Sequence, residues 1–379
     1  PVKNVGYGGT LDLTKYFDIE GFTTSAAEDG ITFTASGDAK HTATFINPVL
    51  AEPVRLEFSV PKNRAGFDKL CVTLTDSENP TETITVTYEK SDTGVKTYAG
   101  DGVVSVSEKK FSDFPNFTFV YYNDGVSLYA DRTSDYNTRV LLPASFKGFS
   151  SHKVYVSFEI SGVDTASAIK VTKLNNQLLD DSTVDETVPE STVKSRRGNN
   201  DVGTTVTLDE VIFCDVLDPT VSATLKVTAP DKSSVTDLGG ITLDGGSGDA
   251  KSPRVSHEIK LDAYGRYSVS YTATDGSANV FRYSYVINVA DVNVPVITLS
   301  DAPKSAKLGD TVKIASASVT DDHSENLTVS VYLTLPDGRV ISLDGTAFVA
   351  NQRGRFLVTY YSADEAGNVA IESYTVIVD

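Results

Sequence analysis

Apolar and polar residues alternate along most of this chain in short runs, each closed by Gly, Asn, Asp or Pro. Alternation at a period of two places every second side chain on one face of a strand. Val154, Val156, Phe158 and Ile160 form one such face. Helical periodicity is hard to find anywhere. Strand-like segments recur about every 8–14 residues, the spacing of β-sandwiches. The pattern predicts strands over residues 11–17, 31–35, 41–47, 54–60, 69–75, 83–89, 95–98, 103–107, 117–122, 126–130, 138–142, 153–160 and 168–174. So many strands exceed one small immunoglobulin-type domain and predict a larger two-sheet jelly roll. Asn123-Asp124-Gly125, between two such runs, predicts a tight hairpin in which Asp-Gly takes up the positive φ.

The second half repeats itself. Val188-Pro189 returns as Val294-Pro295, Val202-Gly203 as Leu308-Gly309, and Ala229-Pro230-Asp231 as Leu335-Pro336-Asp337, all at an offset of 106. The register then resumes at 89: Tyr264-Gly265-Arg266-Tyr267 matches Arg353-Gly354-Arg355-Phe356, and Tyr285 matches Tyr374. The first copy therefore carries about 17 extra residues around 240–258. The fold expected is all-β and elongated: a jelly-roll sandwich over 1–183, then Ig-like sandwiches over 184–291 and 292–379. The acidic stretch 179–187 and the segment 290–293 form the boundaries, each leading into an edge-type strand with an early proline.

Composition narrows the functions available. A length of 379 residues allows two or three domains, each with its own core. The net charge of −18 opposes nucleic-acid backbones and anionic membranes. No apolar run reaches the roughly 18–20 residues that span a bilayer. The abrupt start at Pro1-Val2-Lys3 fits an excised piece of a longer protein with flanking domains. Cys71 and Cys214 fall in different expected domains, so each is read as a free, buried strand thiol.

At the last strands of each repeat a resemblance enters. Gly265–Asn279, reading GRYSVSYTATDGSAN, resembles the penultimate strand and turn of bacterial Ig-like surface domains. Gly354-Arg355-Phe356-Leu357-Val358-Thr359-Tyr360 with Asp364-Glu365-Ala366-Gly367-Asn368 resembles them more closely. Ala278 stands where the pattern has glycine, which predicts a different turn in the first copy. The likeness implies a secreted or wall-attached protein, extracellular and Gram-positive. The first 183 residues are similar in strand layout to concanavalin A-like and laminin-G-like jelly rolls, through 149–160 and Ala168-Ile169-Lys170-Val171. That likeness implies sugar binding or adhesion without identifying a site.

Motifs of reactive chemistry are sparse in this sequence. The paired-carboxylate string Glu-x-Asp-x-x-Glu of retaining glycosidases is absent, and Asp209-Glu210 followed by Asp215 and Asp218 does not fit its spacing. His41, His152, His257 and His323 are isolated from one another and from cysteine, which disfavours zinc. No Gly-x-Ser-x-Gly elbow occurs. Phe117, Phe119 and Tyr121 share one face and read as core. Tyr122, Tyr129 and Tyr136, with Asp131, Arg132, Asp135 and Asn137, mix rings with hydrogen-bonding groups and are the candidate ligand contacts. Asp181 and Asp185 before the first repeat, and Asp291 and Asn293 before the second, are candidate Ca²⁺ ligands, a solvated acidic linker being the competing reading. Asp275 and Asp364, with Asn279 and Asn368, read as turn formers.

The sequence thus predicts a non-catalytic surface segment whose jelly roll binds a glycan or host surface and whose repeats act as a spacer stalk. Two other readings stay open: a purely structural spacer of a surface layer, fibre or virion, and an accessory part of a glycoside-active enzyme.

Overall fold

The computed structural model describes residues 12–100, 105–123, 125–130, 133–182, 185–195, 198–208, 211–233, 243–245 and 257–379. Among them strands dominate, and helix is confined to the 3₁₀ turns Leu13–Lys15 and Phe111–Asp113. The chain is all-β, as its alternation predicts.

Two eight-stranded antiparallel sheets build the first sandwich. One runs Phe17–Glu20, His41–Phe45, Lys153–Ser161, Lys69–Asp76, Thr83–Lys90, Val95–Ala99, Ser105–Ser107, with Val49–Leu50 pairing beside Lys153–Ser161. The other runs Thr133–Leu141, Gly125–Ala130, Phe117–Tyr122, Val54–Ser59, Ser167–Leu174, Gly30–Ala35, Thr23–Ala27, with Gln177–Leu178 at its side. The inward faces interlock through rings: Phe33 of one sheet meets two rings of the other, Phe158 at 4.9 Å and Phe17 at 5.1 Å between centroids. Phe117, Phe119 and Tyr121 are at most 1% exposed, so the core reading of that face holds.

Two local expectations are corrected. Residues 13–15 form a 3₁₀ turn rather than a strand, because Asp12 Oδ1 accepts from Thr14 N at 3.2 Å and Thr14 Oγ1 at 2.6 Å. In the hairpin, Gly125 pairs with Tyr122 as a ladder residue, and Asn123 carries the positive φ of 54°. Asp124 lies outside the described residues.

The repeats fold as the offsets require. Each has a five-stranded sheet of one order: Asn199–Asn200, Val280–Val289, Gly265–Asp275, Val221–Thr228, Leu243–Gly245 in the first, and Ser305–Ala306, Val369–Val378, Gly354–Ala363, Ser330–Thr334, Val340–Ser342 in the second. The short leading strand pairs parallel in both, Asn199 with Asn288 and Ser305 with Ile377. Val206 pairs Ile259 where Val312 pairs Phe348. Each copy buries its own core, and each stacks one tyrosine pair, Tyr271 on Tyr285 and Tyr360 on Tyr374.

The first repeat does not hang from a free linker. Its segment 211–218 leans on the first sandwich: Val216 joins that sandwich's core, and Leu50, Ile212 and Cys214 form a satellite cluster. Asn47 Nδ2 donates to Val216 O at 3.1 Å, and Asn175 Nδ2 to Glu190 Oε2 at 3.0 Å. Both thiols are free; Cys214 is buried as expected, whereas Cys71 is only half-buried because its strand turns that side outward beside Thr87.

Candidate functional site

The predicted ligand residues spread along one hairpin. Tyr122 is 52% exposed at its turn end. Tyr129 is half-buried and pairs with Thr118, four residues back along the strand from Tyr122. At about 3.3 Å per residue the two tyrosines stand roughly 13 Å apart on the same outer face. Asn137 pairs with Tyr129, and the register slips between Tyr129 and Ala130, which leaves Asp135 and Tyr136 in an irregular stretch. Asp131 and Arg132 lie outside the described residues.

Beyond Leu141, which pairs with Gly125, the same strand runs into Pro143 and one wall of an open groove of about 450 Å³. Thr81, Glu82, Thr83 and Thr85 form the facing wall, with Ser145, Phe146 and Lys147 on the Pro143 side. Alternation explains the wall: Ile84 and Val86 turn inward, so the threonines between and beside them turn out. Glu82, the one carboxylate among the described residues of this lining, is already engaged, Oε2 accepting from Ser150 N at 2.7 Å and Oε1 from Asn79 at 2.8 Å. Those bonds hold its carboxyl below the ordinary range. The groove therefore presents one half-buried ring and an ammonium that already donates to Ala144 O. Its threonine hydroxyls already bond Asn79, Leu74 O, Thr75 and Thr73, and keep their remaining lone pairs for a ligand.

The acids that the sequence placed at the boundaries do gather, with partners that the sequence did not indicate. At the first junction Asp185, Asp218 and Asp275 bring carboxylate oxygens within 4.8 Å of one another. Three segments supply them: the linker, the loop after Phe213–Cys214, and the end of strand Gly265–Asp275 where its turn begins. Asp185 Oδ1 accepts from Thr187 N at 2.9 Å, and Asp275 Oδ1 from Asn279 N at 2.8 Å. Asp218 Oδ2 accepts from Ser277 N at 3.0 Å. Asn279 Nδ2 donates to Asp185 O at 3.0 Å and so ties the turn to the linker. Burial, then the charges of Asp275 and Asp218, pushes Asp185 above the ordinary carboxylate range. Asp215, 4% exposed, is pushed up to about 7, chiefly by burial. Asp181 is exposed and stands apart, its amide bonded to Ala27 O, because the chain turns at Ser182, whose amide bonds Asp180.

The second junction is the same device one repeat later. Asn368 Nδ2 donates to Asp291 O at 3.1 Å, and Asp364 Oδ1 accepts from Asn368 N at 2.7 Å. Asp291, Asp321, Asp322 and His323 form its cluster. Asn293 does not offer an oxygen to it: its amide nitrogen donates to Asp201 and, at 2.8 Å, to Asp322. The added element is His323, with Nδ1 3.1 Å from Asp322 and 3.9 Å from both Asp201 and Asp291. Burial works against the charged ring, but the three carboxylates together lift it above the usual imidazole value. Tyr264 of the first repeat meets His323 edge to face at 6.0 Å.

The turns themselves overturn one expectation. Ala278 adopts φ +69° where Gly367 has +91°, and Ala278 N–Asp275 O and Gly367 N–Asp364 O are both 3.3 Å. Alanine has accepted the left-handed geometry, so both copies make one turn. Asp275 forms that turn with Oδ1, as read from sequence, while its carboxylate also enters the acid cluster.

No protein-family model matches the sequence, and no curated protein matches it. Solved structures similar to it include the fibronectin(III)-like modules of Clostridium thermocellum CbhA, at 12% identity and a TM-score of 0.23, over 51% of this chain and 94% of that one. A tetra-tandem repeat from the extending region of a large adhesion protein aligns at 14% identity and 0.27, over 96% and 75%. Lectin I-B4 of Griffonia simplicifolia, in metal-free form, aligns at 9% and 0.31, over 44% and 95%. The chain is an all-β protein of antiparallel sandwiches, its two repeats sharing one strand order, and among the described residues no helix is long and apolar enough to cross a membrane.

Proposed function

We propose that this chain is a non-catalytic extracellular binding segment of a longer bacterial protein, in which the first sandwich contacts a glycan or host surface and the repeats act as its spacer. The groove bounded by Thr81–Thr85 and 143–148 carries this reading. Hydroxyls set around one ring suit a polyhydroxylated ligand, which stacks its apolar face and exchanges hydrogen bonds along its edge. Tyr122, exposed at the hairpin end whose ladder row runs through Gly125 to Leu141, is a second candidate contact on the outer face of the other sheet. The repeated joint supports the spacer role, since a copied interdomain contact gives reach with defined orientation.

Glycan-array and host-cell binding of the whole chain test the reading, with Thr85→Lys and Tyr122→Ala beside the parent. Both positions are exposed, so the variants fold. Binding that Thr85→Lys abolishes supports the groove. Flat signals from the parent on glycans and cells refute the binding role, and binding that neither variant alters refutes its location.

A further inference from the structure

The first junction holds more than a solvated acidic loop requires. Asp275 is 6% exposed and Asp185 9%, yet the Oδ2 atom of each is buried with no hydrogen-bond donor. Their Oδ1 atoms are spent on local backbone amides. A buried carboxylate oxygen without a donor is unfavourable, and a like-charged neighbour makes it more so. The strongest charges acting on Asp185 are those of Asp275 and Asp218, both negative. The second junction relieves much of that crowding from within, leaving Asp321 Oδ2 as its one cluster oxygen buried without a donor among the described residues. His323 stands among its acids, and Asp364 Oδ2, the counterpart of Asp275 Oδ2, accepts from Asn368 Nδ2 at 2.8 Å. The first junction has no such relief at Asp275.

We propose that the first junction is a Ca²⁺ site, with Asp185, Asp218 and Asp275 as its protein ligands. Oxygens bound to one calcium lie about 2.3–2.6 Å from it and hence up to about 5 Å from one another. The three carboxylates, mutually within 4.8 Å, fit around one such ion. An all-oxygen donor set selects a hard cation over zinc or copper. Ligands drawn from three separate segments favour calcium, with its variable geometry, over the strict octahedron of magnesium. The ion would clamp linker, loop and turn together, and that loop is the one whose Val216 packs into the first sandwich. Ca²⁺ thereby fixes the angle between the sandwich and the stalk. This inference is independent of whether the groove binds a glycan.

Calorimetric titration of the chelator-treated chain with Ca²⁺, and Tb³⁺ luminescence sensitised by tyrosine, test it. The chain has no Trp, and Tyr16 feels the charges of Asp218 and Asp185. The parent is expected to bind Ca²⁺ with a Kd below about 1 mM, the range of extracellular sites. Asp275→Asn and Asp218→Asn each weaken that binding tenfold or more, or remove one equivalent; Asp337→Asn, in an exposed turn of the second repeat, leaves it unchanged. The side-chain amide introduced by Asp275→Asn keeps an oxygen for the turn, and circular dichroism verifies the fold of every variant. No Ca²⁺ binding by the parent up to about 10 mM, ten times the weak end of extracellular sites, would overturn the proposal. So would unchanged binding in both junction variants, or Mg²⁺ binding as tight as Ca²⁺.

Discussion

Asn279→Ala and Asn368→Ala remove the same amide from two copies of one joint, and the structure assigns them unequal costs. Asn279 Nδ2 makes one bond, to Asp185 O at 3.0 Å. Asn368 Nδ2 makes two, to Asp291 O at 3.1 Å and to the carboxylate Asp364 Oδ2 at 2.8 Å. A neutral hydrogen bond contributes about 1 kcal/mol net, and one to a charged acceptor about 1.5–3 kcal/mol. Asn279→Ala should therefore cost its repeat about 1 kcal/mol and Asn368→Ala about 2.5–4 kcal/mol. The backbone amides of both residues still bond Asp275 and Asp364, so the turns survive and the loss falls on the link to the linker. At roughly 4–8 °C per kcal/mol for a domain of 60–100 residues, the expected falls in Tm are about 4–8 °C and at least about 10 °C. Scanning calorimetry of the whole chain, with transitions assigned by variants in each core, reads both. Equal shifts, or a larger shift in Asn279→Ala, would refute the argument that hydrogen bonds to these amides set the strength of each joint.

Other outcomes follow from single positions. A side chain at Gly367 would meet nothing within 4 Å, so Gly367→Ala should cost only the backbone penalty of φ +91°, about 1 kcal/mol in urea denaturation. Ala278→Gly should conversely be neutral or mildly stabilising, and a loss above about 1 kcal/mol would contradict the shared turn. Burial raises the Glu190 carboxyl above its ordinary value despite the bond from Asn175. The folded state then holds that proton more tightly than the unfolded chain. Its contribution is full below the unfolded value of about 4.5 and is lost as pH rises toward the higher folded value. Glu190→Gln should accordingly stabilise the chain more at about pH 7 than at about pH 4, and the reverse order in denaturant melts would contradict the assigned burial.

The strands were legible because alternation is a local signal. Val154 to Ile160 declare their faces in sequence and are 0–2% exposed at Val154, Val156, Phe158 and Ile160. The edge strand Thr23–Ala27 escaped notice because its side chains are almost all exposed, and it is held by backbone pairing to Gly30–Ala35. Asp185 and Asp291 were flagged by the acidic boundaries in which they lie. Asp218 and Asp321 were not, since nothing local marks an acid whose partners sit on other segments.

The sequence alone determined the all-β class, the doubled repeat and the change of offset from 106 to 89, because the first is a local alternation and the others are matches in the linear order of residues. Tertiary structure decided which acids meet, that Asp181 stands apart, that Asn293 offers a donor, and that threonines and Phe146 share a groove. Those outcomes depend on how separate segments are brought together in space, which periodicity does not encode.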